Sequence, residues 1–329
     1  MAALTPLPED ALTDLLSRYD VGPLDAYWPA GGGVENSNYF VRSRGARSAR
    51  GVSHDFVLTI LEQPPAAGAL LVPLLDACDL AGLPVAPVIR NRCGEAFDSI
   101  LGKPALLAPR LLGRHVVNPT LRQCEIVGRF LARFHLATAT FALHAPAHPR
   151  DREWLRSRFD AVRGRMAYAD SSLLEDAIAA VSSGLARHDV ADLPRGIIHG
   201  DLFRDNVLFT ERGLTGVLDF HHASAGYLLY DLAVVANDWC SDSGGLIDKD
   251  KALALVRAYH RIRPLTTPEI WFLSFFALYS ALAFWLSRLL VATNLHRPAG
   301  QVVKNPDEFR RIVRQHLAHF LYFDVRQLE

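Results

Sequence analysis

Lysine is scarce in this chain of 329 residues: Lys103, Lys249, Lys251 and Lys304 are all there are. Net charge is absent too, with 35 Lys and Arg against 35 Asp and Glu. That balance removes any global electrostatic pull toward nucleic acid or an acidic membrane surface, so neither is expected as a partner. Cysteine is sparse and scattered (Cys78, Cys93, Cys124, Cys240), with no CxxC and no His/Cys cluster at zinc spacing. That pattern fits a reducing cytosol better than a disulfide scaffold, and no zinc site is expected. The opening "MAALTPLPEDALTDLL" lacks the basic stretch and apolar run of a secretory signal. No internal repeat or low-complexity tract is visible. Long apolar runs are missing but for Ile270 to Ser287, which approaches the length needed to cross a bilayer. Ser274, Tyr279, Ser280 and Ser287 interrupt it and Arg288 follows at once, so a buried helix is expected.

What is present fits a soluble enzyme-sized protein of two lobes, 50% apolar and 21% charged. The first third alternates short β-like runs with Gly and Pro. "ENSNYFVRS" (Glu35–Ser43) and "DFVLTILE" (Asp55–Glu62) carry the β-branched and aromatic residues of strands, joined through a loop over 44–53. A helix is expected around Leu70, Leu71, Leu74, Leu75 and Cys78, with Pro73 its weak point. Strand-like pieces follow at Val85–Arg90 and Lys103–Gly113. Beyond Gly113 the pattern turns helical: a segment opening at Pro119, then 151–165, 171–187, 248–262, 267–291 and 305–324. The block 196–220 interrupts it, reading as strand, polar loop, strand, turn at Gly213 and strand.

The polar loop is "HGDLFRDNVLF". Its spacing, His199-x-Asp201-x4-Asn206 with Asp219 thirteen residues on, is that of a kinase catalytic loop and its metal aspartate. The chemistry explains the residue types. Asp201 can accept the proton of an attacking hydroxyl and aim its oxygen at a γ-phosphate. Asn206 supplies a neutral oxygen and Asp219 a charged one to hard Mg²⁺ ions. Apolar strands on either side hold the loop's ends, as phosphoryl transfer requires.

With "HGDLFRDNVLF", "GVLDF" and "YDLAVVANDWC" the chain resembles the aminoglycoside phosphotransferase/choline kinase-like branch of the kinase fold. "GGGVENSNYFV", "FVLTILE" and "GKPALLAPRLLGRHV" make it similar, within that branch, to the homoserine kinases outside the GHMP family. The resemblance implies an α+β, bilobal, protein-kinase-like fold: a small β-rich N-lobe over 1–110 that binds nucleotide, and a larger helical C-lobe over 111–329. It implies ATP and Mg²⁺ as cofactors and phosphorylation of the homoserine hydroxyl in the threonine pathway. Gly31, Gly32 and Gly33 take the place of the phosphate-covering loop, and Pro109, Arg110 and Leu111 that of the hinge beside adenine. Asp231 matches the aspartate that braces the catalytic loop, and His135 is expected to be a packing histidine. His221 and His222 fall in the loop after Asp219.

One departure stands out. Thr59 occupies the strand position where most kinases carry a lysine, so Mg²⁺, the Gly-rich loop and Arg42 are expected to share the phosphate charge. For a zwitterionic acceptor, Arg204 can offer a planar fork to the carboxylate, Asp238 an acid to the ammonium, and Asn36 a contact from the Gly-rich loop. Two other readings stay open: a kinase of the same fold acting on an aminoglycoside, choline or a sugar derivative, and a non-catalytic nucleotide-binding module suggested by Thr59.

Overall fold

The computed structural model describes residues 4–30, 36–44, 55–62, 68–141, 145–294, 303–319, 321, 323 and 325–328. Its contacts divide the chain into two compact units, one ending at Leu112 and the other beginning at Gly113.

The first unit opens with helix α1 (Glu9–Ser17) and strands β1 (Leu24–Pro29), β2 (Ser37–Ser43) and β3 (Asp55–Ile60). Helix α2 (Gly68–Leu80) and strands β4 (Asp98–Ile100) and β5 (Lys103–Pro109) complete it. The five strands form one antiparallel sheet in the order β1-β2-β3-β5-β4. Alternation along the strands gives the sheet two different faces. Tyr39, Val41, Leu58, Ile60, Ala105 and Leu107 are buried in one core with Leu12, Leu15, Leu16 and Tyr19. Asn38, Phe40, Thr59 and Leu106 take the opposite parity. Pro73 is accommodated inside α2. The strand expected at Val85–Arg90 does not form as a run: Pro84 and Pro87 withhold two backbone donors, and the stretch makes isolated bridges, at Val85 and from Ile89 to Leu107. Most of the loop expected over 44–53 lies outside the described residues.

The second unit carries α3 (Leu121–Ala137), α4 (Arg152–Val162), α5 (Tyr168–Leu185) and the short α6 (His188–Ala191). Strands β6 (Arg195–Ile198), β7 (Val207–Thr210), β8 (Gly213–Val217) and β9 (Ser224–Tyr227) follow, then α7 (Leu228–Cys240), α8 (Lys249–His260), α9 (Thr267–Thr293) and α10 (Pro306–Ala318). Capping boxes start α3 (Thr120 with Gln123) and α9 (Thr266 with Glu269), each satisfying backbone donors that a helix end leaves orphaned. The strands make two small antiparallel pairs, β6-β9 and β7-β8. Helix α9 contains the apolar run read above; 83% of its most apolar stretch is buried, against α4, α5, α7 and α10. It is a core helix.

Candidate active site

The polar loop from His199 to Asn206 connects β6 to β7, and helix α7 lies along it as a splint. At the helix's start Asp231 accepts N–H bonds from His199 at 2.6 Å and Gly200 at 2.8 Å. Seven residues on, about 10 Å along the axis at 1.5 Å rise per residue, Asp238 accepts the backbone N–H of Arg204 at 2.7 Å. Beside it, the Trp239 indole donates to the carbonyl of Leu202 at 3.3 Å. Gly200 has φ +77°, and a Cβ there would lie 3.2 Å from the His222 carbonyl, so the turn requires glycine.

Asp231 is fully buried and rests on a second tier. His135 reaches it through Nε2 at 3.2 Å, and the Tyr259 hydroxyl meets the other ring nitrogen at 2.7 Å. Burial lowers the His135 pKa. Burial also opposes the Asp231 carboxylate, but the His135 bond and the backbone donors hold its pKa below the ordinary value. A neutral His135 therefore donates to Asp231 from Nε2 and accepts from Tyr259. His135 is a satisfied buried histidine as expected, and beyond that expectation it supports Asp231, which holds the loop.

His199 plays the corresponding part within the loop. Burial keeps it neutral, its Nε2 bonds the Leu218 carbonyl at 3.0 Å, and its Nδ1 accepts the Asp201 N–H at 3.3 Å. Leu218 in turn donates its N–H to the Asn206 carbonyl at 2.9 Å. The loop and the segment bearing Asp219 are thus locked together, and Asp219 itself is held left-handed at φ +62°. A non-glycine residue in that region is uncommon and costs energy that the surroundings must offset.

Asp201, Asn206 and Asp219 come together here. The Asn206 carboxamide donates to the Asp201 carbonyl at 2.8 Å and to its carboxylate at 3.1 Å. Loss of solvent around the Asp201 carboxyl pushes its pKa up to about 7, against the pull of His222 and Arg150. That is a carboxylate poised to exchange a proton near neutrality. The Asn206 Oδ1 and the Asp219 carboxylate accept no hydrogen bond among the described residues, and one neutral and one charged oxygen suit a hard divalent cation. His221 and His222 sit in the short helical turn after Asp219, in no metal cluster among the described residues.

The acceptor candidates fall out differently. Arg204 and Asp238 face each other: Nε and Nη2 of Arg204 reach the two carboxylate oxygens at 3.1 and 3.3 Å, and Nη1 donates to the Val117 carbonyl at 2.6 Å. The fork expected to take a substrate carboxylate is already filled, and the acid expected to meet an ammonium is the group filling it. Asp205 bonds Lys304 at 2.6 Å.

In the first unit, Gly31, Gly32 and Gly33 lie outside the described residues. Asn36 accepts the Glu62 N–H through its side chain at 3.3 Å, a turn-stabilising bond. Pro109 closes β5 opposite Phe56, Arg110 lays its guanidinium 4.0 Å over the Phe40 ring, and Leu111 is half-buried. Thr59 donates its hydroxyl to Asn38 at 2.7 Å. Arg42 does not replace the strand lysine: it pairs with Asp55 at 2.8 Å, four residues from Asn38 along β2, about 13 Å at strand rise. Lys103 does not either. It shares the parity of Ala105 and Leu107 and bonds Glu62 and Thr5, on the face opposite Thr59.

Residues 28–265 match the family model described as the phosphotransferase enzyme family. A homoserine kinase of Pseudomonas aeruginosa (strain LESB58) is 38% identical over 319 residues, covering 96% of each chain. Among solved structures, an amicoumacin kinase in complex with AMP-PNP, Ca²⁺ and Ami superposes with a TM-score of 0.70 at 13% identity, over 98% of both chains. A microcompartment-associated aminopropanol kinase gives 0.69 at 18% identity, over 94% of this chain and 98% of that one. These likenesses establish a kinase-like α+β fold.

Proposed function

The chain belongs to the phosphotransferase enzyme family, and from that premise we propose that it transfers the γ-phosphoryl group of ATP to the side-chain hydroxyl of L-homoserine. The observation that carries the acceptor is the end-to-end similarity to a named homoserine kinase, 38% over 96% of both chains. The loop geometry supports the reaction type. In this reading Asp201 receives the hydroxyl proton as the acceptor oxygen bonds to phosphorus and the bond to the ADP oxygen breaks. Asn206 holds the Asp201 carboxylate in its orientation. The Asn206 Oδ1 and Asp219 would hold Mg²⁺, which when bound neutralises charge on the phosphate oxygens.

Arg204 and Asp238 then serve as a brace on the catalytic loop, Gly31, Gly32 and Gly33 as the phosphate-covering turn, Pro109 to Leu111 as the adenine-side strand end, and Asn36 as a support of the turn. In this reading the enzyme serves threonine synthesis and works in the cytosol. The deciding experiment is a coupled ADP-release assay over homoserine, serine, threonine, choline and kanamycin with Mg²⁺. Homoserine is expected to give the highest kcat/KM; a higher value on any other acceptor, or no ADP at all, overturns the assignment.

A further inference from the structure

An amino-acid acceptor brings a carboxylate, and the arginine expected to meet it is committed elsewhere. The cations around the catalytic loop are accounted for one by one: Arg204 pairs with Asp238, Lys304 with Asp205, and Arg288 with Glu308. Arg150 is different. It stands just before α4, half-buried, and has no acidic partner among the described residues. Its position is nonetheless tightly set. The guanidinium lies 4.0 Å over the face of Phe284 and donates from Nη1 to the Tyr230 hydroxyl at 3.2 Å. The Arg150 carbonyl accepts the Tyr279 hydroxyl.

This platform adjoins the catalytic loop. Phe203, two residues from Asp201, packs its ring against Phe284 at 4.6 Å, edge to face. Tyr230 directly precedes Asp231, the clamp on His199 and Gly200. The Arg150 charge is felt at the Asp201 carboxyl, where it opposes the effect of desolvation. Holding a guanidinium partly out of water without an anion is costly, and stacking plus one neutral hydrogen bond recovers only part of that cost. A ligand anion would recover the rest. Among the described residues the guanidinium spends one Nη1 hydrogen on Tyr230, and its other N–H groups suffice for two parallel bonds to a carboxylate.

We propose that Arg150 receives the carboxylate of the acceptor amino acid and thereby sets the enzyme's preference for an amino acid over the corresponding amino alcohol. This rests on the homoserine reading. The test is a cycle of wild type and Arg150→Lys on homoserine and on 3-aminopropanol, which is homoserine without its carboxylate. Arg150→Lys is expected to lower kcat/KM for homoserine about 30-fold or more, chiefly through KM, since removing a bidentate charge-assisted partner has effects of that size. On 3-aminopropanol the change should stay within about threefold, because no anion is there to orient. An equal loss on both acceptors, or no loss on homoserine, overturns the inference while leaving the homoserine assignment standing. A wild type inactive on homoserine overturns both. If Arg150→Lys melts early, Tyr230→Phe replaces it. That variant removes the hydroxyl holding the guanidinium, and its loss must again be confined to homoserine; a loss shared with 3-aminopropanol counts against Arg150.

Discussion

Asp201 is an acid whose pKa stands near 7 because its surroundings disfavour the charge. Two consequences follow at this residue. As the proton acceptor, it should make kcat rise with pH through about 7, and Asp201→Asn should lower kcat by about 10²–10⁴; a variant keeping a tenth of wild-type turnover removes Asp201 from that role. The second consequence is in stability. Between the unfolded value near 4 and the folded value near 7, the folded protein binds the proton more tightly than the unfolded chain does. Stability contributed by the protonated carboxyl is therefore present below about pH 4 and lost as pH rises to about 7. Asp201→Asn should then melt higher than wild type at pH 8 without metal, with the gain fading toward pH 4. A gain independent of pH would mean the carboxyl is not destabilised by its site.

Asn206 and Asp219 allow a third test. Asp219→Ala and Asn206→Ala should both raise the Mg²⁺ concentration needed for half-maximal rate, Asp219→Ala more, since it removes the charged oxygen. Unchanged Mg²⁺ titrations for both would remove them from the metal site. The juxtaposition of these three residues was legible from sequence because Asp201 and Asn206 share one loop, and the β7-β8 hairpin that follows pairs Val207 with Val217 and so returns the chain to Asn206 just before Asp219. Arg150 was not. It belongs to no motif, and its contacts, Tyr230 and Phe284, are 80 or more residues away. The Arg204–Asp238 pair was missed for the same reason: both residues were found, but not that they bond across 34 positions.

At the scale of elements, α7 is what makes the loop rigid. Asp231 holds His199 and Gly200, and about two turns on Asp238 holds Arg204 and Trp239 holds Leu202. Asp238→Ala would leave the Arg204 guanidinium and its N–H without their acceptor, at a cost of about 1–3 kcal/mol. As a brace, it should depress kcat on homoserine and 3-aminopropanol to the same degree and lower the melting temperature. A loss confined to homoserine would instead return Asp238 and Arg204 to the acceptor site. Helical periodicity made the larger helices readable. The short strands were less so: β9, "SAGY", has no pattern of its own and forms because β6 pairs with it on one side and Ala147 bridges Ala225 on the other. At Val85–Arg90 the apolar residues suggested a strand that two prolines forbid.

For the whole molecule, the decisive element is α9. Taken alone its apolar length is ambiguous between a membrane span and a core helix, and only its neighbours resolve it. With that surface buried against four other helices, the protein should be recovered from broken cells in detergent-free buffer and should not float with anionic lipid vesicles. Vesicle-bound protein at 150 mM salt would contradict the packing described. The two-lobed plan itself was readable from the shift between β-like and helical patterns at Gly113.

The arrangement around Phe284 also bears on how readily such an enzyme can be given a new acceptor. The catalytic loop takes its shape from α7, while Arg150 is supplied by a separate stretch just ahead of α4 that meets α7 at Tyr230 and the loop's Phe203 through the ring of Phe284. Selectivity and turnover are therefore inherited from different segments. Variation at Arg150 can be screened for new acceptors with Asp201, Asn206 and Asp219 left as they are, while His148, bonded to β9, and Asp151, the cap of α4, are kept.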